Sequence, residues 1–556
     1  MTAKQAWRNN KWLIIVFVAA AIFSLTGLGA RHFWGDEVHL LNLGKSIPLY
    51  GVPVVDNSLR QIEVTYEIDD LTRTVYNERV DYGIAIGDKV IYTLHPWLTS
   101  YIASIPIVIF GPYNEFFIRL PFVFIGLLAI PITYFLAKRI SNRKQIAILS
   151  ALLLAGSVVY LLALRNANYY GLILFAIPAT LLCYLRTLNK EKNAWWQFAL
   201  SGAMLFHSQW IAFIGTMLGI CIHFLIFNHN LKSLKLVAKP VMVIFLLTFP
   251  WFLLTGQFNK SGVISTPMQY FLLFCISCYH FILWFVPLLF ILYSAWLVVF
   301  KKQKKWLFNS GYALLALTII ASFLFASLNY YTGTPIRYYY GLLPLAMIFN
   351  AAIIEKFWQQ LNKFSQSKPK KQQWVWQKAI PIALVVLLVC TNFIQIVPLL
   401  PFKPIISRIA GSQDVLGTGE EAQQGFVAKT LKPRIILGEY LYEITHKVQT
   451  PTRAVIDAIL PVSPRGKNIF VAAGDANAIG YYTGLTPATN NNNYATRNYD
   501  WIVLPASDAR NAQIDNNKYS KMHFSYATDR WGDTADPVHH LFRTTEGSGF
   551  YLYRRK

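Results

Sequence analysis

Long apolar runs separated by short basic stretches dominate the chain from residue 12 to about residue 400. About 20 apolar residues in helical form cross a hydrocarbon core of about 30 Å. Runs of that kind fall at 12–30, 114–137, 146–164, 168–187, 195–210, 211–228, 236–256, 270–300, 306–329, 338–355 and 379–400. The segment Pro96 to Phe110 is only moderately apolar and reads as a helix lying along the outer surface or dipping into it. Beyond residue 401 the long apolar runs stop. Asn, Asp and Gly become frequent there, and short strand-like stretches at 468–473, 500–504 and 550–553 alternate with turns. The expected fold is mainly α: a polytopic membrane helix bundle of about eleven transmembrane helices followed by a soluble mixed α/β domain. The bundle takes residues 1–400, including an outer loop 31–113 with juxtamembrane helices, and the appended domain takes 401–556.

Charge sets the sidedness. Lys138/Arg139/Arg143/Lys144, Arg186/Lys190/Lys192, Lys232/Lys235, Lys301/Lys302/Lys304/Lys305 and the stretch Lys356 to Lys378 occupy alternate loops, so all five lie on the cytoplasmic face under the positive-inside rule. Lys4, Arg8 and Lys11 precede the first run on the same side. Loop 31–113 and the tail then lie outside. The first run is longer than the apolar core of a cleavable signal, about 7–15 residues. It therefore reads as an uncleaved helix, although Gly27-Leu28-Gly29-Ala30 resembles a cleavage site.

The composition agrees: 54% of the residues are hydrophobic and 14% charged, against about 25% charged in a soluble domain. The net charge of +24, from 51 Lys and Arg against 27 Asp and Glu, is mostly this loop bias. No basic stripe is interleaved with exposed aromatics, which argues against a nucleic-acid partner. All five cysteines fall in apolar segments. Cys275-x-x-Cys278 has no second ligand pair, so it reads as packing rather than as a redox or zinc motif.

Candidate chemistry gathers at the outer helix ends. Trp34-Gly35-Asp36-Glu37 places two carboxylates just beyond the first run. A carboxylate half-buried beside lipid gains basicity and suits general-base work, while the plain alternative is a helix N-terminal charge. Downstream stand His39, Gly44-Lys45-Ser46, Tyr50-Gly51-Val52-Pro53, Tyr92-Thr93-Leu94-His95-Pro96-Trp97, and Phe110-Gly111-Pro112-Tyr113-Asn114-Glu115-Phe116-Phe117-Ile118-Arg119-Leu120-Pro121. The acidic stretch between Asp56 and Lys89 has no EF-hand order and reads as a solvated face or an acceptor rim. Gly474-Asp475-Ala476 lacks the spacing of a dinucleotide loop and reads as a structural turn.

This order, a first span, an Asp-Glu pair, a Gly-containing loop, a His-Pro segment and then the aromatic-rich Asn114 to Pro121 stretch, resembles the GT-C membrane glycosyltransferases. Within them it is most similar to the branch of ArnT and the protein O-mannosyltransferases. The likeness is strongest over residues 12–230, weaker to about 400, and only architectural in the tail. It implies transfer of a sugar from a polyprenyl-phosphate donor, undecaprenyl or dolichyl phosphate, to a lipid A, glycan or protein acceptor outside the cytoplasm. It places a catalytic or acceptor-orienting role on Asp36, with Glu37 beside it.

The departing phosphate needs cations. Arg337 in Pro335-Ile336-Arg337-Tyr338-Tyr339-Tyr340-Gly341 resembles an Arg-Tyr motif of the family and reads as a phosphate ligand or as an interfacial anchor. Arg165, in Leu164-Arg165-Asn166-Ala167-Asn168-Tyr169-Tyr170, and His95 are the other phosphate candidates. His95 stands where relatives carry His-Pro-Pro or Lys-Pro. His39, Tyr169, His207 and Tyr338 are candidates for sugar or carrier contact, with a packing role as the alternative for His207. Some relatives carry a second acidic residue near Arg165, and this chain has Asn168, Tyr169 and Tyr170 there, which weakens a two-carboxylate or metal-bridged mechanism. The sequence assigns no cofactor with certainty, and a divalent metal is left open. The expected location is the bacterial cytoplasmic membrane, with the site on its periplasmic face. A flippase or transporter of lipid-linked sugars is the rival from another class. A non-catalytic assembly or sensor protein is a third reading.

Overall fold

The computed structural model describes residues 3–56, 64–68, 71–75, 85–87, 89–93, 95–255, 267–301, 309–326, 336–404, 433–446, 450–462, 468–472, 475–488, 499–506, 514–525 and 549–556. Most of the acidic stretch between Asp56 and Lys89, together with Leu94, Lys302 to Lys305, Pro335 and Gly474, lies outside them.

The first helix, α1 (Ala3–Leu25), stops earlier than the apolar run that predicts it, because Gly27 takes a left-handed turn at φ 61°. After that turn come α2 (Gly35–Tyr50), α3 (Leu98–Phe110) and α4 (Glu115–Leu127). Gly51, at φ 74°, ends α2 by donating its N–H to the Ile47 carbonyl, a conformation that suits glycine. Asn114 starts α4 by accepting the Phe117 N–H at 3.2 Å. The 13 residues of α3 span only about 20 Å of helix.

Among the described residues, six helices are long and apolar enough to cross a membrane: Glu115–Ser141, Tyr170–Leu188, Trp210–Phe227, Leu231–Leu254, Ile336–Ser365 and Gln372–Cys390. Two further pairs are bent, Lys144–Gly156 with Val158–Leu164 by 62° and Phe274–Trp284 with Leu288–Val299 by 95°, giving eight if each pair is one span. The runs at 146–164 and 270–300 are therefore broken rather than straight. Pro287 stands as the cap of the second half of the later pair, where its missing N–H costs nothing. Lys11–Leu25, Ser310–Ala326 and Phe393–Phe402 are shorter apolar helices, and Ala194–Ser208 has 15 residues. The chain is an integral membrane protein built mainly of helices.

The bundle packs tightly at glycines. A Cβ on Gly171 would stand 2.5 Å from the Phe122 carbonyl oxygen, and one on Gly126 would stand 3.1 Å from the Gly171 Cα. The helices Glu115–Ser141 and Tyr170–Leu188 therefore meet backbone to backbone.

The stretch between α2 and α3 contributes a three-stranded sheet in the order β1 (Val54–Asp56), β5 (Lys89–Ile91), β4 (Ala85–Ile86), and an antiparallel hairpin of β2 (Val64–Ile68) with β3 (Leu71–Val75). After the bundle, helices Ile436–Thr445, Pro451–Ile459 and Ala476–Thr483 accompany a five-stranded sheet. Its strands are β6 (Asn468–Val471), β7 (Thr486–Ala488), β8 (Trp501–Pro505), β9 (Tyr519–Phe524) and β10 (Phe550–Arg555), in the order β7-β6-β8-β10-β9. β6 runs parallel to β7 and β8, and β10 runs antiparallel to β8 and β9. The mixed α/β expectation holds for this region.

Sheet and bundle share one core. Phe33, Leu41, Ile107 and Phe122 from the bundle side pack in a single apolar cluster with Ile456, Ile479 and Val503 from the sheet side. Burial of this joint surface sets α2 between the two parts, and α2 carries the acidic pair.

Candidate active site

Asp36 and Glu37 open α2, and adjacent residues on a helix point about 100° apart. They therefore face different surroundings. Glu37 is fully buried, and Arg119, 2% exposed, grips it from α4 with Nε at 2.8 Å and Nη2 at 2.7 Å. The Ala167 N–H donates to the same carboxylate at 2.7 Å and the Trp34 N–H at 3.3 Å. Arg119 also donates to the carbonyls of Leu28, Arg31 and His32. Glu37 is thus an anchor with its oxygens occupied, so the expectation of a reacting partner for Asp36 gives way to a structural role.

Asp36 turns the other way and is 42% exposed. Its Oδ2 accepts from Nη1 of Arg337 at 2.8 Å, across 301 positions of sequence. Nε of Arg337 is buried with no hydrogen-bond partner among the described residues. The guanidinium stands 5.6 Å from the Tyr338 ring and close to Tyr169 and Tyr170. Burial, reinforced by Tyr338, pushes the Tyr169 hydroxyl well above its usual range, so it stays neutral beside the Asp36–Arg337 pair. The fold therefore brings Asp36, Arg337, Tyr169 and Tyr338 to one place.

His39 lies one turn along α2 from Asp36 and is exposed, with its ring 5.1 Å from Tyr92. Tyr92 is in turn 6.3 Å from His95. These three rings form a strip leading from α2 to the His-Pro segment. Trp97 fixes that segment by donating Nε1 to the Tyr92 carbonyl at 2.7 Å.

Two expected ligands go elsewhere. Arg165 donates to the carbonyls of Ser24, Thr26 and Gly27 at 3.0, 2.6 and 2.7 Å. It closes the C-terminal end of α1, where carbonyls lack helical partners, and this replaces the phosphate contact expected of it. His207 places Nε2 3.1 Å from the Leu247 carbonyl, a helix-to-helix tie. The stretch Arg165 to Tyr170 nonetheless serves the site at each step: Asn166 accepts Trp34 Nε1 at 2.7 Å, Ala167 holds Glu37, and Tyr169 reaches the Asp36–Arg337 pair.

Three groups carry no role in the sequence reading. Tyr482 receives the Phe33 N–H at 3.0 Å and donates to Glu115 at 2.8 Å, and Arg453 approaches Glu115 at 3.3 Å. Lys45 lies against the rings of Tyr481 and Tyr113 at 3.7 and 5.2 Å, and burial lowers its ammonium to about 8. Buried His32, both ring nitrogens without a hydrogen-bond partner among the described residues, is pushed down to about 3 by desolvation and by Arg31, Arg119 and Arg453. Only the aromatic density at 110–117 and 481–482 hints at these contacts in the sequence. No group of three or more His, Cys, Asp or Glu side chains suited to a metal occurs among the described residues.

Residues 94–254 match the family of dolichyl-phosphate-mannose-protein mannosyltransferases. The crystal structure of ArnT from Cupriavidus metallidurans bound to undecaprenyl phosphate is similar with a TM-score of 0.51, over 98% of this chain and 98% of that one, at 14% identity. The archaeal oligosaccharyltransferase AglB from Archaeoglobus fulgidus, in complex with an inhibitory peptide and a dolichol-phosphate, is similar with a TM-score of 0.50. It covers 91% of this chain and 70% of that chain at 13% identity. No curated protein sequence matches significantly. Identities this low speak to fold, and the fold of this chain is that of the GT-C membrane glycosyltransferases in its ArnT-like form.

Proposed function

We propose that the protein transfers a sugar from a polyprenyl-phosphate donor, undecaprenyl or dolichyl phosphate, to a hydroxyl of an extracytoplasmic acceptor. The acceptor belongs to lipid A, a glycan or a protein. The observation that carries this reading is the Asp36–Arg337 pair at 2.8 Å, a carboxylate beside a cation with one buried N–H that has no partner among the described residues. A phosphate oxygen arriving at Arg337 competes with Asp36 for the guanidinium and releases the carboxylate to the acceptor. Asp36 then takes the acceptor proton as the acceptor oxygen bonds to the anomeric carbon. The carbon–oxygen bond to phosphate breaks in the same displacement, its electron pair leaves on the phosphate, and the configuration inverts. Arg337 offsets the charge that grows there. Tyr169, Tyr338, His39 and His95 line the approach as sugar, carrier or phosphate contacts.

Glu37 and Arg119 hold the helix that presents Asp36. The positive-inside pattern supports a site on the outer face, in a bacterial cytoplasmic membrane the periplasmic one. The division at residue 400 goes with this reading, the bundle receiving the lipid donor and the tail lying over the site.

The test is release of polyprenyl phosphate from a panel of polyprenyl-phosphate sugars in the presence of acceptor membranes, wild type against Asp36→Asn. Loss of release and transfer, with folding and undecaprenyl phosphate binding retained, supports the assignment. A fully active Asp36→Asn removes it, and binding with translocation but no turnover supports the flippase instead.

A further inference from the structure

The first amides of an α-helix have no partner within the helix and must find one outside it. For α2 that partner comes from 440 positions downstream: Oδ2 of Asp475 accepts the Gly35 N–H at 2.6 Å. Oδ1 of the same carboxylate accepts the Ala478 N–H at 3.0 Å as the cap of helix Ala476–Thr483. One carboxylate thus closes two helix N-termini at once, and each places its positive dipole end on it. The Asp475 N–H donates in turn to Thr452 Oγ1 at 3.3 Å, so the clamp is itself held. Gly35 keeps the approach close: a Cβ there would stand 3.4 Å from Asn477 Nδ2 and 3.7 Å from both Asp475 oxygens.

We propose that Asp475 is a positioning residue for Asp36: supplied by the C-terminal region, it fixes the first turn of α2 and turns the Asp36 carboxylate toward Arg337. The amide it holds belongs to the residue immediately before Asp36. Asp475 and Asp36 interact electrostatically, and repulsion between like charges adds to the preference of Asp36 for Arg337. The C-terminal region is then part of the catalytic unit rather than a tethered accessory. The Tyr482 hydroxyl, bridging Phe33 and Glu115, makes a second crossing of the same boundary.

This inference rests on the proposed role of Asp36, so the experiment separates the two. The full chain in nanodiscs, as wild type, Asp475→Ala, Asp475→Asn and Asp36→Asn, is assayed three ways. The readouts are undecaprenyl phosphate binding, the initial rate of polyprenyl phosphate release with acceptor membranes, and amide exchange in the peptide spanning residues 33–37. In Asp475→Ala, release is expected to fall about tenfold or more, with undecaprenyl phosphate affinity within about twofold of wild type, because a small misplacement of a reacting group costs rate rather than binding. Exchange over 33–37 rises in the same variant. Asp475→Asn, which keeps one acceptor oxygen, lies between the two and decides the matter if the alanine variant does not fold.

Wild-type release in Asp475→Ala, or loss of release with unchanged exchange over 33–37, overturns the proposal. An inactive Asp36→Asn beside a fully active Asp475→Ala removes the positioning role alone. A fully active Asp36→Asn removes the catalytic reading and the positioning role together, while faster exchange in Asp475→Ala still shows a structural clamp.

Discussion

Arg119 and Glu37 form a two-pronged ion pair at 2.8 and 2.7 Å in a site almost closed to water, 82 positions apart in sequence. The remaining Arg119 donors hold the carbonyls of Leu28, Arg31 and His32. The turn between α1 and α2 therefore wraps around one guanidinium. The pair fixes where α2 begins, and with it the direction in which Asp36 points.

Breaking such a pair from one side leaves a buried uncompensated charge, at a cost of about 3–5 kcal/mol. Glu37→Ala and Arg119→Leu should each lower the thermal unfolding midpoint sharply, whereas the double replacement Glu37→Leu with Arg119→Leu should lower it by less than the sum of the two. Midpoints of detergent-purified variants check this, and additive losses would rule out the coupling.

Arg337 is expected to act on donor and reaction together. Arg337→Lys keeps a charge beside Asp36 but loses the fork and its Nε–H, which has no partner among the described residues. The donor KM should rise with a modest fall in kcat. Arg337→Met should lower kcat about 10²–10³-fold, as for loss of one preorganised donor at a developing anion. Initial rates over a donor concentration series separate the two effects.

His32 makes the fold acid-sensitive. Its folded value of about 3 lies below the ordinary 6.5, so between these values the unfolded chain binds a proton that the folded chain refuses. Stability then falls as the pH drops from 6.5 toward 3, and above 6.5 the histidine contributes no pH dependence. His32→Phe should flatten that limb of a plot of unfolding midpoint against pH. An unchanged acid limb would show that other groups set it.

Much of this was legible in the chain, for reasons that particular residues make plain. Apolar length and basic loops mark the helices, since both follow from the lipid solvent alone. Asp36 and Arg337 stand out because each is a charge beside a long apolar run and outside the basic clusters of the connecting loops. What the sequence hides is orientation. Asp36 and Glu37 look equivalent as neighbours, yet the turn of the helix exposes one and buries the other against Arg119. Arg165 reads as a phosphate candidate, but in three dimensions it donates to carbonyls at and just beyond the end of α1. Asp475 caps helix Ala476–Thr483, in the stretch where the sequence suggests a turn. Its second bond, to Gly35, depends on how the sheet seats on the bundle, which no local pattern encodes. The two sharp bends also escaped the apolar-length criterion, which counts residues and does not register a change of direction.

The contact of Gly126 with Gly171 bears on how the protein moves. Helices touching through their backbones have no layer of side chains whose rotamers absorb sliding, so shear between Glu115–Ser141 and Tyr170–Leu188 is blocked. They travel as one block, carrying Arg119 on the first and the Ala167–Tyr169 turn at the head of the second. The half of the site that holds Asp36 is in that sense the stator. Under the proposed function, an opening for substrate is expected on the Arg337 side, where an ion pair within reach of solvent links Arg337 to Asp36.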